Sequence, residues 1–156
     1  MQLQNEVRID AAPDRGFAFF AQMHENYLRW HPDHLLFEWR GEPGLAVGRR
    51  CYFEERIAGK LYRKEMRFTE ILPDRRIRFV PVGLLLRSIL PWITFEFMPQ
   101  PGGQFQFRQS LRLRIGPIAA WLNRRDLDAV RRHMAEEGDN LKSILETGAP
   151  VHVRRA

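Results

Sequence analysis

The sequence predicts an α+β fold in which a curved antiparallel sheet of about seven strands wraps a long C-terminal helix. Three observations carry this. Short segments of alternating apolar and polar residues recur from Gln2 to Ile115, each closed by a Gly, Pro or Asp turn. The period becomes helical from Pro117 to about Glu146. No repeat, linker or shift in composition divides the 156 residues, so 1–147 reads as one domain and 148–156 as a tail.

The elements follow in order. Gln2 to Asp10 alternates, with Leu3, Val7 and Ile9 on one face. Pro13 suits a first helical turn, and Phe17, Phe20, Ala21 and His24 recur at helical spacing. A short helix is expected from about Pro13 to Gln22, with a second short turn from Glu25 to Trp30. Strands are expected at Leu36 to Arg40, Arg49 to Ala58, Leu61 to Leu72 and Arg76 to Val80. The breaks between them are Gly41-Glu42-Pro43-Gly44, Gly59-Lys60 and Pro73-Asp74.

Pro81 to Pro91 is apolar and reads as irregular or partly helical; it is too short to span a bilayer. Trp92 to Met98 is a strand, and Pro99-Gln100-Pro101-Gly102-Gly103 is a turn. Beyond it Phe105, Phe107, Gln109, Leu111, Leu113 and Ile115 face one way, with polar residues between them. One face is core and the other water. The helices must cover the apolar face.

Composition narrows the function. Met1 to Glu6 has neither a basic nor an apolar run, so no secretion signal is expected. Cys51 is the only cysteine, which excludes an intramolecular disulfide and fits a cytoplasmic location. The formal charge of +6 comes from scattered arginine doublets such as Arg49-Arg50 and Arg131-Arg132. No nucleic-acid-binding signature accompanies them, so salt links to carboxylates are the expected role. The Pro81 to Pro91 segment would close a cavity, and its Leu84 to Leu90 stretch equally suits the contact of a homodimer.

Three features break the pattern. On the long helix, Glu137 falls inside the apolar stripe of Val130, Met134, Leu141 and Leu145, with His133 one turn earlier on the same face. A carboxylate facing a core must be paired, protonated or bound to a metal. Gly138 follows, at a cost of about 1 kcal/mol relative to Ala, as though the helix approaches something closely. The second feature is His24, His31, Asp33 and His34 around Pro32. These make either a capped turn with exposed histidines or a turn that aims His34, or else His31, into the cavity. The third lies on the strands. Glu55 shares parity with Cys51, Phe53 and Ile57 and should face inward, while Glu65 and Met66 have opposite parity and their faces stay open. Two imidazoles and two carboxylates suit zinc or another divalent transition metal.

Ala11-Ala12-Pro13, the Phe17–Phe20 helix, Gly48 before a strand, Pro73-Asp74 and Glu136-Glu137-Gly138-Asp139-Asn140-Leu141-Lys142 resemble the polyketide cyclase and START-like superfamily. That resemblance implies the helix-grip fold. Trp30-His31-Pro32-Asp33-His34 with His133-x-x-x-Glu137 resembles the diacetylphloroglucinol hydrolase group within it. Those enzymes hydrolyse a carbon–carbon bond between an acyl group and an aromatic ring with a zinc ion on two histidines and two glutamates. The resemblance implies His34, His133 and Glu137 as ligands, with Glu55 or Glu65 as the fourth. This chain is shorter than those hydrolases.

Three functions remain open. A metal-dependent hydrolase would act on a small aromatic or acylated ketone, with His31, His24 or Tyr27 delivering the proton. A non-catalytic protein would hold a hydrophobic molecule or lipid among Trp92, Phe95, Phe97, Phe105 and Phe107. A metal-free cyclase or dehydratase would rely on acid–base groups alone.

Overall fold

The computed structural model describes residues 1–148. The expected tail, beyond Gly148, lies outside them. β1 (Gln2–Ile9) leads into α1 (Pro13–Ala21) and α2 (Met23–Trp30). Then come β2 (His34–Arg40), β3 (Arg50–Ile57), β4 (Lys60–Leu72) and β5 (Arg76–Pro81). The six-residue helix α3 (Leu84–Ile89) precedes β6 (Trp92–Pro99) and β7 (Phe105–Arg112). Last come α4 (Pro117–Leu122) and α5 (Arg124–Thr147). All seven strands form one antiparallel sheet in the order β1-β7-β6-β5-β4-β3-β2. This is the α+β helix-grip architecture the alternation predicts.

Several boundaries differ from expectation: α2 starts at Met23 rather than Glu25 and β2 at His34 rather than Leu36. The continuous helix expected from Pro117 is broken at Asn123, whose N–H bonds to Ala119 and whose carbonyl starts α5. Pairing of the last strand stops at Arg112 rather than Ile115. Past it, Leu113 N–H reaches Met1 O and Arg114 N–H reaches Ile89 O, outside the ladder.

The concave face carries the core. Phe20 of α1 sits against Phe95, Phe97 and Phe107 at ring separations of 4.7–5.7 Å. Gly16 lets α1 come this close, since a Cβ there would lie 2.6 Å from the Phe105 ring. On the convex face, Glu6, Arg108, Glu96, Arg76 and Glu70 form a chain of ion pairs across the sheet. Part of the arginine content is spent here, on sheet-surface salt links.

Helix α5 is fixed at three places near its middle. Asn5 Nδ2 donates to Met134 O, Trp30 Nε1 to Glu137 O, and Asn140 Nδ2 to Trp30 O. Gly138 makes the first possible, because a Cβ at this position would lie 2.5 Å from Asn5 Nδ2. The glycine expected to allow close approach therefore meets β1. These contacts set the rotation of α5 and with it the direction of His133 and Glu137.

Candidate metal centre

Four side chains from three elements converge beneath α5. His34 opens β2, Glu55 lies on β3, and His133 and Glu137 stand one turn apart on α5 itself. All four are buried, and one ligand atom from each lies within 4.8 Å of the others. His34 faces inward because of a bulge. The β2–β3 register shifts between His34 and Leu36, leaving Leu35 40% exposed and His34 4%. A bulge of this kind re-aims a side chain that strict alternation would turn to water.

His34 Nε2 lies 2.9 Å from Glu137 Oε1 and 3.9 Å from Glu55 Oε2. His133 Nε2 lies 3.4 Å from Glu55 Oε2 and 3.5 Å from Glu137 Oε1. A four-coordinate ion with bonds of 2.0–2.1 Å separates its ligands by about 3.3 Å. The four distances bracket that value. His133 Nε2 is buried and has no hydrogen-bond partner, and such an atom requires an explanation. An ion supplies one.

The surrounding groups orient this set. His34 Nδ1–H donates to Tyr27 O at 2.8 Å, which fixes the ring with Nε2 turned toward the cluster. Gln109 Nε2 donates to Glu137 Oε2 at 2.7 Å. Lys64 pairs with Glu55 Oε1. Burial works against charge on all of these, but the partners outweigh it. The Lys64 ammonium and His133 hold Glu55 down at about 2. His133 and His34 hold Glu137 well below the ordinary carboxylate range. The two carboxylates, Glu137 first, lift His133 to about 10.

The cluster closes one end of a cavity of about 470 Å³, lined mostly by apolar side chains including Phe53, Phe68, Phe79, Phe95 and Ile93. Tyr27 also lines it and stacks on His34 with ring centroids 4.0 Å apart. Burial, then the charges of Glu55 and Glu137, push the Tyr27 phenol up, so it stays protonated.

Several expected site residues lie elsewhere. Glu65, the alternative fourth ligand, points outward and pairs with Arg50, because Met66 takes the inward parity on β4. His31 is buried behind His133 and away from the cavity. Its Nδ1 accepts from Asp33 N–H and its Nε2–H donates to Glu136, while with His34 and His133 it forms a second buried group, of three imidazoles, whose ligand atoms lie within 4.8 Å of one another and could hold an ion. Burial, then His133, push its pKa down. His24 is exposed beside Trp39 and Glu25. Of the five cavity aromatics expected, Phe95 alone lines the cavity. Phe97, Phe105 and Phe107 fill the core under α1, and Trp92 lies on the convex face beneath Arg78.

The sequence does not single out Lys64, although it has the inward parity of Met66 and Phe68. Its strand turns Gln109 inward, but nothing in the sequence ties that residue to Glu137.

No family model and no curated protein sequence matches the chain. Solved structures do. TTHA0849 from Thermus thermophilus superposes with a TM-score of 0.73 at 17% identity, over 95% of this chain and 99% of that one. SSP2350 from Staphylococcus saprophyticus gives 0.69 at 12%, over 97% and 96%. The Aha1 dimer from Colwellia psychrerythraea gives 0.57 at 16%, over 95% and 98%. At these identities the likeness is one of fold. Among the described residues no helix is long and apolar enough to cross a membrane.

Proposed function

We propose that this protein is a metal-dependent hydrolase acting on a small aromatic or acylated ketone held in the apolar cavity. One observation carries the reading: two imidazoles and two carboxylates meet at the wall of that cavity, with Glu55, His133 and Glu137 lining it, and His133 Nε2 has no well-formed hydrogen bond. His34, Glu55, His133 and Glu137 would hold a zinc or similar divalent ion. Such an ion supplies Lewis-acid polarisation of a ketone carbonyl.

The chain's own groups do the rest. The Phe53, Phe68 and Phe95 rings bind the aromatic part and exclude water. Gln109 keeps Glu137 oriented, and Lys64 does the same for Glu55. In hydrolysis of an aryl ketone, the oxygen of water goes to the acyl carbon and a proton to the departing ring carbon. We assign that proton to the Tyr27 hydroxyl, which takes back the proton that the attacking water releases. It lies against His34, with only a long 3.5 Å contact to Glu54 O.

A second reading has its own support. Without an ion, two carboxylates face two cations, Lys64 and a protonated His133, and the buried charges cancel. The cavity then belongs to a metal-free binder or cyclase. A protonated His133 Nε2 lies 3.4 Å from Glu55 Oε2 and 3.5 Å from Glu137 Oε1, between the two carboxylates and well aligned with neither, and this favours the ion.

Metal analysis of protein purified without a histidine tag decides between them. One equivalent of metal is expected in the wild type, with almost none in His133→Ala or Glu137→Gln. Metal-free wild-type protein that cannot be loaded with zinc ends the hydrolase reading.

A further inference from the structure

Two stretches border the open end of the cavity, and both are apolar where they meet solvent. On α3, Leu84 and Leu85 are each 81% exposed. On α4, Ile118, Trp121 and Leu122 are 63–76% exposed. Neither helix has a buried residue. Arg114 N–H donates to Ile89 O, tying the end of α3 to the segment that enters α4. Ile89 and Asn123, one from each stretch, are exposed members of the cavity lining, which places the opening between them.

The charge on these stretches has one sign. Residues 82–92 and 111–125 contain five arginines, Arg87, Arg112, Arg114, Arg124 and Arg125, and no Asp or Glu. All five are exposed, and among the described residues none forms an ion pair. Arg112 shares the convex face of β7 with Arg108, but there it is Arg76 and Arg108 that are each shared between carboxylates. Arg124 lies 4.9 Å over the Trp121 ring, an indole and guanidinium presented together.

We propose that this rim docks on the surface of an anionic lipid bilayer, with Leu84, Leu85, Ile118, Trp121 and Leu122 in the acyl boundary and the arginines among the headgroups. An apolar face bordered by basic residues is the pattern of interfacial binding, and Trp favours the headgroup level. The same face would not suit a second copy of this chain, because a two-fold contact would bring the arginine sets toward each other. Docking there opens the cavity directly onto the bilayer, so a poorly soluble ligand enters without crossing water.

The test uses the full chain with vesicles of phosphatidylcholine alone and vesicles about one third phosphatidylglycerol. Co-sedimentation with the anionic vesicles is expected, weakening as salt is added. Brominated lipid should quench tryptophan emission. Trp121→Phe should keep binding and lose the quenching, since Trp30 is buried and Trp39 and Trp92 are partly so. Arg124→Gln with Arg125→Gln should weaken binding by about fivefold per arginine. Leu84→Asp with Leu85→Asp should abolish it while the circular dichroism spectrum stays unchanged. Equal binding to both vesicle types, or to neither, overturns the proposal. So does a concentration-dependent dimer, dissolved by Leu84→Asp with Leu85→Asp, in a protein that ignores vesicles. Metal content does not enter these measurements, so their outcome is independent of the hydrolase reading.

Discussion

Glu55 stands between two cations, Lys64 on the neighbouring strand and His133 on the helix. The Lys64 side chain is 12% exposed and runs between the Phe53 and Tyr62 rings, so its charge is held in place and poorly screened. Removing one partner of a nearly buried pair leaves an uncompensated charge, which costs about 3 kcal/mol. Lys64→Met should therefore lower the melting temperature sharply in the presence of a chelator. A bound divalent ion would take over part of the compensation, so zinc should recover more stability in the variant than in the wild type. Equal recovery in thermal melts would separate Lys64 from the metal centre. Cys51, also on the cavity wall, offers a second single-residue test. Burial, then Glu65, push its thiol up to about 12 from 9.0. Below both values the thiolate fraction falls by about a thousandfold, and the thiolate is the reactive form. At pH 8 iodoacetamide should label the folded protein at roughly a thousandth of the denatured rate or slower, followed by mass spectrometry.

The strands were legible in the sequence because each is half buried and alternates, and Glu55 could be turned inward by counting from Phe53 and Ile57. His133 and Glu137 could be paired because a helix repeats every turn. Three features were not legible, each for a local reason. The bulge at His34 has no composition signal. The break at Asn123 sits inside a run that keeps helical spacing on both sides. The inward side of β4 needed Met66 to be preferred over Glu65. At this scale the glycines of α1 and α5 give a comparison. Both helices come close to the sheet, but Gly16 faces the rings of Phe105 and Phe97, while Gly138 faces the amide end of Asn5. Alanine brings a helix-propensity gain of about 1 kcal/mol at either site. Overpacking costs about 1–3 kcal/mol and is worst where the neighbour cannot move. Gly16→Ala should be the more destabilising change in chemical denaturation. Gly138→Ala should lose less, and Asn5→Ala should relieve most of that loss. Equal effects of the two substitutions would mean that α1 shifts as readily as Asn5 rotates.

Across the whole molecule, one concave face serves two purposes. Over β6 and β7 it is filled by α1, with α5 seated on β1, and the aromatic side chains are packed solid. Toward β3, β4 and β5 the helices α2, α3 and α5 stand off the sheet, and the gap beneath them is the cavity. This division explains why sequence alone could not sort the aromatics: Phe95 and Phe97 share a strand and a face and both meet Phe20 of α1, but only Phe95 also borders the cavity. A ligand at one hundred times its dissociation constant stabilises the folded state by about 2.7 kcal/mol. An aromatic ketone such as acetophenone should thus raise the melting temperature of the wild type by a few degrees. Phe107→Leu shrinks the packed half, so it should lower the melting temperature equally with and without ketone and leave the ligand-induced rise unchanged. Phe95→Leu alters the cavity wall as well as the core, so it should reduce both the baseline and the rise. If Phe107→Leu diminishes the rise as much as Phe95→Leu does, the two halves of the concave face are not separate, and the ligand reaches under α1.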